Sequence, residues 1–274
     1  MDVRPGDCGL ASEGGGGALS AVGGRGAHAG DGERFGGEAL VRLRAGLEEV
    51  NWLLGRGYPL GMVVTMVGNH HQFDARQRMA LTRAGCSEEQ RAARRARCVK
   101  LEAMRGAWVE IDGLNLLITL EVAQRGGPLL LGADGALRDL AGVRGSYAVL
   151  DETERALGWV EKALQEAGVA GARWWIDEAV SSSGRLRGAI EAGWGRRERA
   201  EGEGEMEAGE GEEERGRVGV EAGLVRDPDA VLRGRRGVVS SDGVVLDRCE
   251  SWVDLAGEVV RRWVRGAWVV NLLG

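Results

Sequence analysis

Lysine, phenylalanine and tyrosine are scarce in this chain, whereas glycine, arginine and tryptophan are abundant. Lysine occurs only at Lys100 and Lys162, and the 274 residues include two phenylalanines and two tyrosines against nine tryptophans and 47 glycines. This skew is typical of a bias towards GC-rich codons. We therefore attach no functional meaning to the choice of arginine over lysine or of tryptophan over phenylalanine.

Cysteine and long apolar segments are also lacking. The four cysteines lie far apart and include no C-x-x-C pair, so neither a disulfide framework nor a cysteine zinc site follows from their spacing. No apolar stretch approaches the ~20 residues that span a bilayer. The first residues lack the basic start and apolar core of a secretory signal. We expect a cytoplasmic protein with no membrane partner.

Several common motifs for nucleotide binding and hydrolysis are missing. The sequence contains no GxxxxGK[ST] loop, no HExxH and no GxSxG, and no cysteine–histidine set with a recognisable spacing. We therefore expect no nucleotide cofactor. His70 and His71 are adjacent but lie outside the predicted sheet, where packing or exposure to solvent is a more frequent role for histidine than that of a catalytic base.

The net charge of −6 comes largely from one acidic tract. Seven glutamates lie between residues 201 and 213, and without them the chain is close to neutral. A block of like charges is typically a solvated, mobile insertion, which we place at about 195–216. The alternative is an acidic tract that occupies a basic groove.

The chain divides by pattern into three segments. Residues 1–37 are rich in glycine, alanine and serine without apolar periodicity, which predicts disorder. Residues 38–105 show helical spacing of apolar residues, with a short apolar piece at 62–67 and helix starts at Asp74 and at the capping box of Ser87 and Gln90. Residues 106–274 predict strands that alternate with helices.

The second of those helix starts opens a strongly basic helix. Its cationic side chains include Arg91, Arg94 and Arg95. A basic helix can bind nucleic-acid phosphates, and a solvated helix face gives the same pattern. The sequence leaves both interpretations open.

Three apolar runs in the last segment end on aspartate. The predicted strands 107–112, 172–177 and 237–241 lead to Asp112, Asp177 and Asp242, with helices between them and a last strand at 267–271. This alternation predicts a parallel sheet covered on both faces. Ligands bind at the carboxyl edge of such sheets, and carboxylates that meet there repel each other unless a cation lies among them. The pattern favours a divalent-metal site.

Other polar residues lie near these strand ends. Asn115 could orient a ligand or water, Asp229 could be a metal ligand or a helix cap, and the hydroxyls of Ser240 and Ser241 could cap a helix or bind phosphate oxygens. Residues 181–185, SSSGR, resemble either an anion cradle or a serine-capped helix. The polar loop at 132–147 could contact a phosphate backbone or a base through Arg138, Arg144, Ser146 and Tyr147.

Several of these motifs resemble the family known as domain of unknown function 434. They include GNHHQF at 68–73, IDGLN at 111–115 and SSD at 240–242, with further matches at 76–81, 116–121, 127–132, 138–143 and 180–186. The resemblance covers most of residues 40–270 and supplies no assigned activity.

More distantly, the C-terminal half resembles PIN-like and NYN ribonuclease domains. Their first strand ends in an Asp-Gly-x-Asn-like turn, similar to Asp112–Asn115, and later aspartates are matched by Asp177, Asp229 and Asp242. The resemblance implies binding of Mg²⁺ or Mn²⁺ and cleavage of RNA. The chain departs from these families at residues 181–184 and in its acidic insertion.

These observations predict an α/β protein with a parallel-sheet, three-layer PIN-like domain preceded by a small all-helical domain. We expect a metal-dependent ribonuclease; the alternatives are a non-catalytic RNA-binding or assembly factor and a small-molecule phosphatase. The expected metal ligands are Asp112, Asp177, Asp229 and Asp242, and the expected catalytic residues are Asp112, Asn115, Ser183 and Ser241. The expected nucleic-acid contacts are Arg91, Arg94, Arg95, Arg138, Arg144 and Arg185.

Overall fold

A helical region precedes the first strand, as the sequence predicts. The computed structural model describes residues 25–141, 147–194 and 217–273. The capping boxes at Asp74 and Ser87 both form. The apolar piece at 62–67 lies inside a helix that begins at Leu60 and continues through Gly68 and Asn69 to His70. The helices are α1 (Asp31–Arg34), α2 (Gly37–Leu54), α3 (Leu60–His70), α4 (Ala75–Ala84) and α5 (Glu88–Arg97).

Part of the segment expected to be disordered is packed. The described residues 25–37 include α1, and buried Asp31 accepts hydrogen bonds of 2.6 and 2.8 Å from Arg76. Arg25 pairs with Glu121, and Phe35 lies in the core. The expectation was wrong for these residues because ion pairs and one aromatic ring, rather than periodic apolar side chains, hold them. Residues 1–24 and the predicted insertion at 195–216 lie outside the described residues.

The described strands and remaining helices alternate along the chain. A 3₁₀ helix (Leu101–Met104) leads into the first strand. The helices are α6 (Gly113–Gln124), α7 (Asp151–Ala167), α8 (Ser183–Gly193), α9 (Pro228–Leu232), α10 (Gly243–Arg248) and α11 (Leu255–Trp263). The strands are β1 (Trp108–Asp112), β2 (Leu129–Leu131), β3 (Leu137–Asp139), β4 (Gly171–Asp177), β5 (Gly219–Val225), β6 (Val238–Val239) and β7 (Val269–Asn271).

Four strands form a parallel sheet in the order β5-β4-β1-β6. Trp174 and Ile176 of β4 face the large core that α6, α7 and α11 help to build, whereas Trp175 packs towards a smaller core around Trp252. Apolar cores therefore lie against both faces, and the mixed α/β class and the parallel sheet are confirmed. From β1 the chain adds β4 and then β5 on one side of the sheet, and it then returns to place β6 on the other side of β1. The order of strands therefore reverses beside β1.

A second, small sheet was not predicted. β2 pairs antiparallel with β3 and parallel with β7, so the predicted last strand joins this sheet instead of the main one. Leu130, Leu140 and Val270 pack in one core with residues of α2, α3 and α4. Strands of three residues are too short to show a two-residue period, and this is why the stretch 132–147 resembled a loop. No helix of the described residues is long and apolar enough to cross a membrane.

Candidate functional site

Asp112 is the last residue of β1 and the N-cap of α6. Its Oδ1 accepts a hydrogen bond of 3.4 Å from the backbone N–H of Asn115, and its side chain is buried. The helix starts close to β4, and there is little room for a side chain at Gly113: a Cβ there would lie 3.2 Å from the carbonyl oxygen of Trp175. Glycine at this position lets the helix begin directly at the strand end and fixes the carboxylate at the sheet edge.

Ser240 connects Asp112 to the end of the neighbouring strand. Its hydroxyl donates to Asp112 Oδ2 at 3.0 Å and accepts from the N–H of Asp242 at 3.2 Å. Asp242 caps α10 by accepting from the N–H of Val244 at 2.7 Å. The carboxylates that end β1 and follow β6 are thus held on the same edge, where the strand order reverses and where ligands bind in open α/β sheets.

The negative charges of this edge act on one another. Burial raises the pKa of Asp112 to about 7, and the charges of Asp229 and Asp242 add to that shift, although hydrogen bonds from Ser240 and Asn115 oppose it. Burial raises the pKa of Asp229 as well, helped by nearby aspartates and opposed by Arg248. Carboxylates that repel one another in this way are stabilised by a bound cation, so this edge favours cation binding.

Asp177, at the end of β4, belongs to the same edge. Its charge contributes to the raised pKa of Asp229, and its Oδ1 accepts from the N–H of Ala179 at 2.8 Å. Within the described part of the chain, none of the four carboxylates forms an ion pair with an arginine, lysine or histidine. Carboxylate oxygens are the donors that Mg²⁺ and Mn²⁺ prefer, so the donor set of Asp112, Asp177, Asp229 and Asp242 fits such an ion by its chemistry. Among the described residues, no three of these carboxylates bring ligand atoms within 4.8 Å of one another.

The polar residues expected to be catalytic are engaged in holding the edge. Asn115 accepts hydrogen bonds from the backbone and hydroxyl of Ser241, so its amide oxygen clamps α6 to the segment after β6. The buried Ser183 hydroxyl lies 2.6 Å from the carbonyl oxygens of Asp177 and Val180. The hydroxyls of Ser183 and Ser241, which were expected to act on water or phosphate, both donate hydrogen bonds within the protein.

Two of the expected nucleic-acid contacts are buried ion-pair residues, and for these the expectation was wrong. Arg94 is 4% exposed and pairs with Asp247 and Asp134; Arg138 is 2% exposed and forms two hydrogen bonds with Asp134. The Tyr147 hydroxyl likewise donates to Glu121 inside the core. The basic periodicity of α5 therefore reflects in part its docking onto α10.

The remaining arginines differ in their surroundings. Arg91 pairs with Glu88 on the surface of α5, and Arg95 and Arg185 are exposed. Arg144 and Ser146 lie outside the described residues. Only exposed positions such as Arg95 and Arg185 can reach a phosphate without breaking the fold.

At this edge, Arg138 has a role other than the one expected, and Asp254 was missed. Arg138 Nε donates to the carbonyl oxygen of Ser241 at 2.8 Å and so supports the edge from β3. Asp254, the N-cap of α11, lines a narrow crevice with Asn115, Ser240 and Ser241, and burial raises its pKa to about 6. An aspartate before a helical run was a visible signal for Asp254; no local pattern pointed to the bond of Arg138.

Comparisons with known proteins confirm the resemblance to the family known as domain of unknown function 434 over residues 42–97 and assign the following part of the chain to a second family. A family model described as Protein of unknown function (DUF434) matches residues 42–97, and one described as Domain of unknown function (DUF5616) matches residues 101–208 and 210–258. An uncharacterized protein of Methanocaldococcus jannaschii is 26% identical over 215 residues, which cover 78% of this chain and 94% of that protein. No solved structure matches the chain.

Proposed function

Since the chain belongs to the family described as Domain of unknown function (DUF5616), a description that gives no activity, we propose a function from the geometry of the site. The protein is a divalent-metal-dependent nuclease that hydrolyses phosphodiester bonds in RNA. The observation that carries the proposal is the set of aspartates at one sheet edge without an ion-pairing partner among the described residues. Asp112, at its centre, has a pKa raised to about 7.

The strand arrangement supports a PIN-like assignment. The first strand of the chain lies inside the sheet and ends on Asp112, α6 begins with Gly113-Leu114-Asn115, and the order of strands reverses beside β1. The resemblance to PIN-like and NYN domains implies acidic residues at this place.

Each residue of the edge has a defined task in this proposal. Asp112, Asp229 and Asp242, with Asp177 beside them, hold Mg²⁺ or Mn²⁺, and when bound the ion supplies Lewis acidity to the phosphodiester and to the attacking water. Ser240 and Asn115 keep Asp112 in place through their hydrogen bonds.

In this proposal, exposed arginines bind the RNA. Arg95 and Arg185 contact backbone phosphates, which gives affinity without sequence information and a binding constant that falls with salt. The buried Arg94 and Arg138 take no part in these contacts.

The decisive experiment measures cleavage of a mixed RNA pool with Mn²⁺ by the wild-type protein and by Asp112→Asn. The matched control is Asp151→Asn, which replaces an exposed aspartate at the start of α7. We expect cleavage by the wild type and the control and loss of cleavage in Asp112→Asn, with a cooperative melting transition in all three showing that each protein is folded. Equal cleavage by Asp112→Asn would overturn the proposal.

Two other outcomes would select an alternative. Salt-sensitive RNA binding without any cleavage in Mn²⁺ or Mg²⁺ would identify a non-catalytic RNA-binding factor. Turnover of p-nitrophenyl phosphate, lost in Asp112→Asn and unaccompanied by RNA cleavage, would identify a phosphatase.

A further inference from the structure

Three potential metal ligands meet where α3 ends against α2. His70 is the last residue of α3, His71 follows as its C-cap, and Glu49 lies on α2. The ligand atoms of the three side chains lie within 4.8 Å of one another, and His71 Nε2 is 3.0 Å from Glu49 Oε1. None of these residues belongs to the aspartate edge.

The local backbone explains why both histidines are found at this place. Gln72 adopts a left-handed φ of 56°, which turns the chain at the helix end and places Phe73 under the His71 ring. The two rings stack at 5.1 Å with an interplanar angle of 9°, and Phe73 is buried. The His71 ring is therefore held in place, with the His70 ring edge-to-face at 4.8 Å.

We propose that Glu49, His70 and His71 bind a divalent first-row transition metal ion, with zinc as the ion that the donor set fits. Imidazole nitrogen combined with carboxylate oxygen is a preferred donor set for zinc, whereas Mg²⁺ prefers oxygen alone. Tetrahedral bonds of about 2.0–2.1 Å place ligand atoms on the order of 3.3 Å apart. The His71–Glu49 pair already has that separation, and the exposed side chains of His70 and Glu49 can close the remaining distance.

The surroundings of the cluster favour an ion further. The carbonyl end of α3 carries the negative end of the helix dipole, which stabilises a cation. Glu49 and His70 also line a groove of about 640 Å³ whose walls include Trp52 and Met66. Apolar walls lower the local dielectric and strengthen the attraction between an ion and its carboxylate ligand. Three protein ligands leave at least one coordination position open towards this groove.

The test is zinc binding by the full chain after treatment with a chelator, measured by competition with a chromophoric zinc indicator. Variants His70→Ala, His71→Ala and Glu49→Ala are compared with the wild type. His28→Ala is the matched control, because it removes the third histidine of the chain, and the hydrogen bonds of His28 with Asp31 use its backbone N–H and carbonyl oxygen. Asp112→Asn and Cys98→Ser serve as controls for the sheet edge and for an exposed thiol.

We expect one equivalent of zinc in the wild type and all three controls, and affinity lowered on the order of 100-fold in each ligand variant. Cobalt in place of zinc should show visible d–d bands without a sulfur-to-cobalt charge-transfer band. Unchanged affinity in both His70→Ala and Glu49→Ala would overturn the proposal, and these exposed positions keep the test valid if His71→Ala fails to fold. Loss of zinc in Cys98→Ser would overturn it as well.

Discussion

Asn115 Oδ1 accepts two hydrogen bonds from Ser241, one of 2.8 Å from the backbone N–H and one of 3.1 Å from the hydroxyl. This clamp joins the first turn of α6 to the segment after β6. Because Asp112 precedes α6 and Asp242 follows Ser241, the clamp fixes the separation of the two carboxylates.

Replacing Asn115 with alanine should loosen this edge without unfolding the protein. We expect Mn²⁺ affinity to fall on the order of 10-fold or more, as for other residues that orient metal ligands, with a corresponding loss of RNA cleavage. Manganese titration and cleavage assays measure both. Gln124→Ala, at the other end of α6, is the control, and the same Mn²⁺ affinity in Asn115→Ala and the control would contradict the positioning role.

The raised pKa of Asp112 predicts a stability that falls as the pH rises. Its carboxyl group has a pKa of about 7 in the folded protein against 3.8 as the reference value. Below about pH 4 the group is protonated in both the folded and the unfolded state, so it does not lower the free energy of unfolding. Between about pH 4 and 7 unfolding releases its proton, so the free energy of unfolding declines by on the order of 4 kcal/mol.

Denaturant unfolding in the presence of a chelator measures this decline. Asp112→Asn should remove it and be more stable than the wild type at pH 8, and Mn²⁺ should stabilise only the wild type. If the wild type and Asp112→Asn show the same dependence of the free energy of unfolding on pH, burial of this carboxyl group does not destabilise the protein.

The buried pair of Asp134 and Arg138 predicts the opposite dependence on pH. Burial raises the pKa of Asp134, but hydrogen bonds and charge from Arg138 and Arg94 outweigh it and lower the pKa to about 2. The contribution of the ionised Asp134 to the free energy of unfolding is therefore complete above about pH 4 and is lost as the pH falls towards 2. Asp134→Asn leaves Arg138 buried without its carboxylate partner, and we expect a cost of about 3–5 kcal/mol at pH 7.

Urea unfolding at pH 7 and at acid pH tests this expectation. The control is Glu250→Gln, because Glu250 forms an exposed ion pair with Arg236. Loss of that pair should lower the free energy of unfolding by about 1 kcal/mol or less. A similar small cost for Asp134→Asn would refute the structural role of this pair.

Neighbouring arginines on α5 should behave differently on substitution. Arg94 is buried between Asp134 and Asp247, so Arg94→Ala should destabilise the protein strongly. Arg95 is exposed, so Arg95→Ala should leave the melting temperature unchanged and weaken RNA binding, with a salt slope lower by about one. Melting curves and binding at several salt concentrations separate the two roles. RNA binding that is unaffected in both Arg95→Ala and Arg185→Ala would exclude the proposed contacts.

β1 and β4 of the main sheet were predictable because they are long enough to show a pattern. Each is mostly apolar, with one charged residue inside it (Glu110 or Arg173), and ends on an aspartate. The capping boxes at Asp74 and Ser87 are local signals that tertiary contacts do not override. The same local logic placed Asp112 and Asp242 at one edge.

Long-range pairing was not predictable in the same way. β2, β3 and β7 have three residues each, and their partners are far apart in sequence. The burial of Arg94 and Arg138 depends on carboxylates contributed by other elements, so their positive charge alone gave the wrong location. A charge pattern reports the presence of cations and not the carboxylates that face them.

The small sheet also joins the two parts of the chain that the family models match. The two matched family models meet between residues 97 and 101, yet Leu130 and Val270 share an interior with α2, α3 and α4 across that boundary. β7, at 269–271, extends past both models. A fragment of the chain that holds only the second part would leave the apolar side chains of these strands uncovered, so we expect the two parts to fold as one unit.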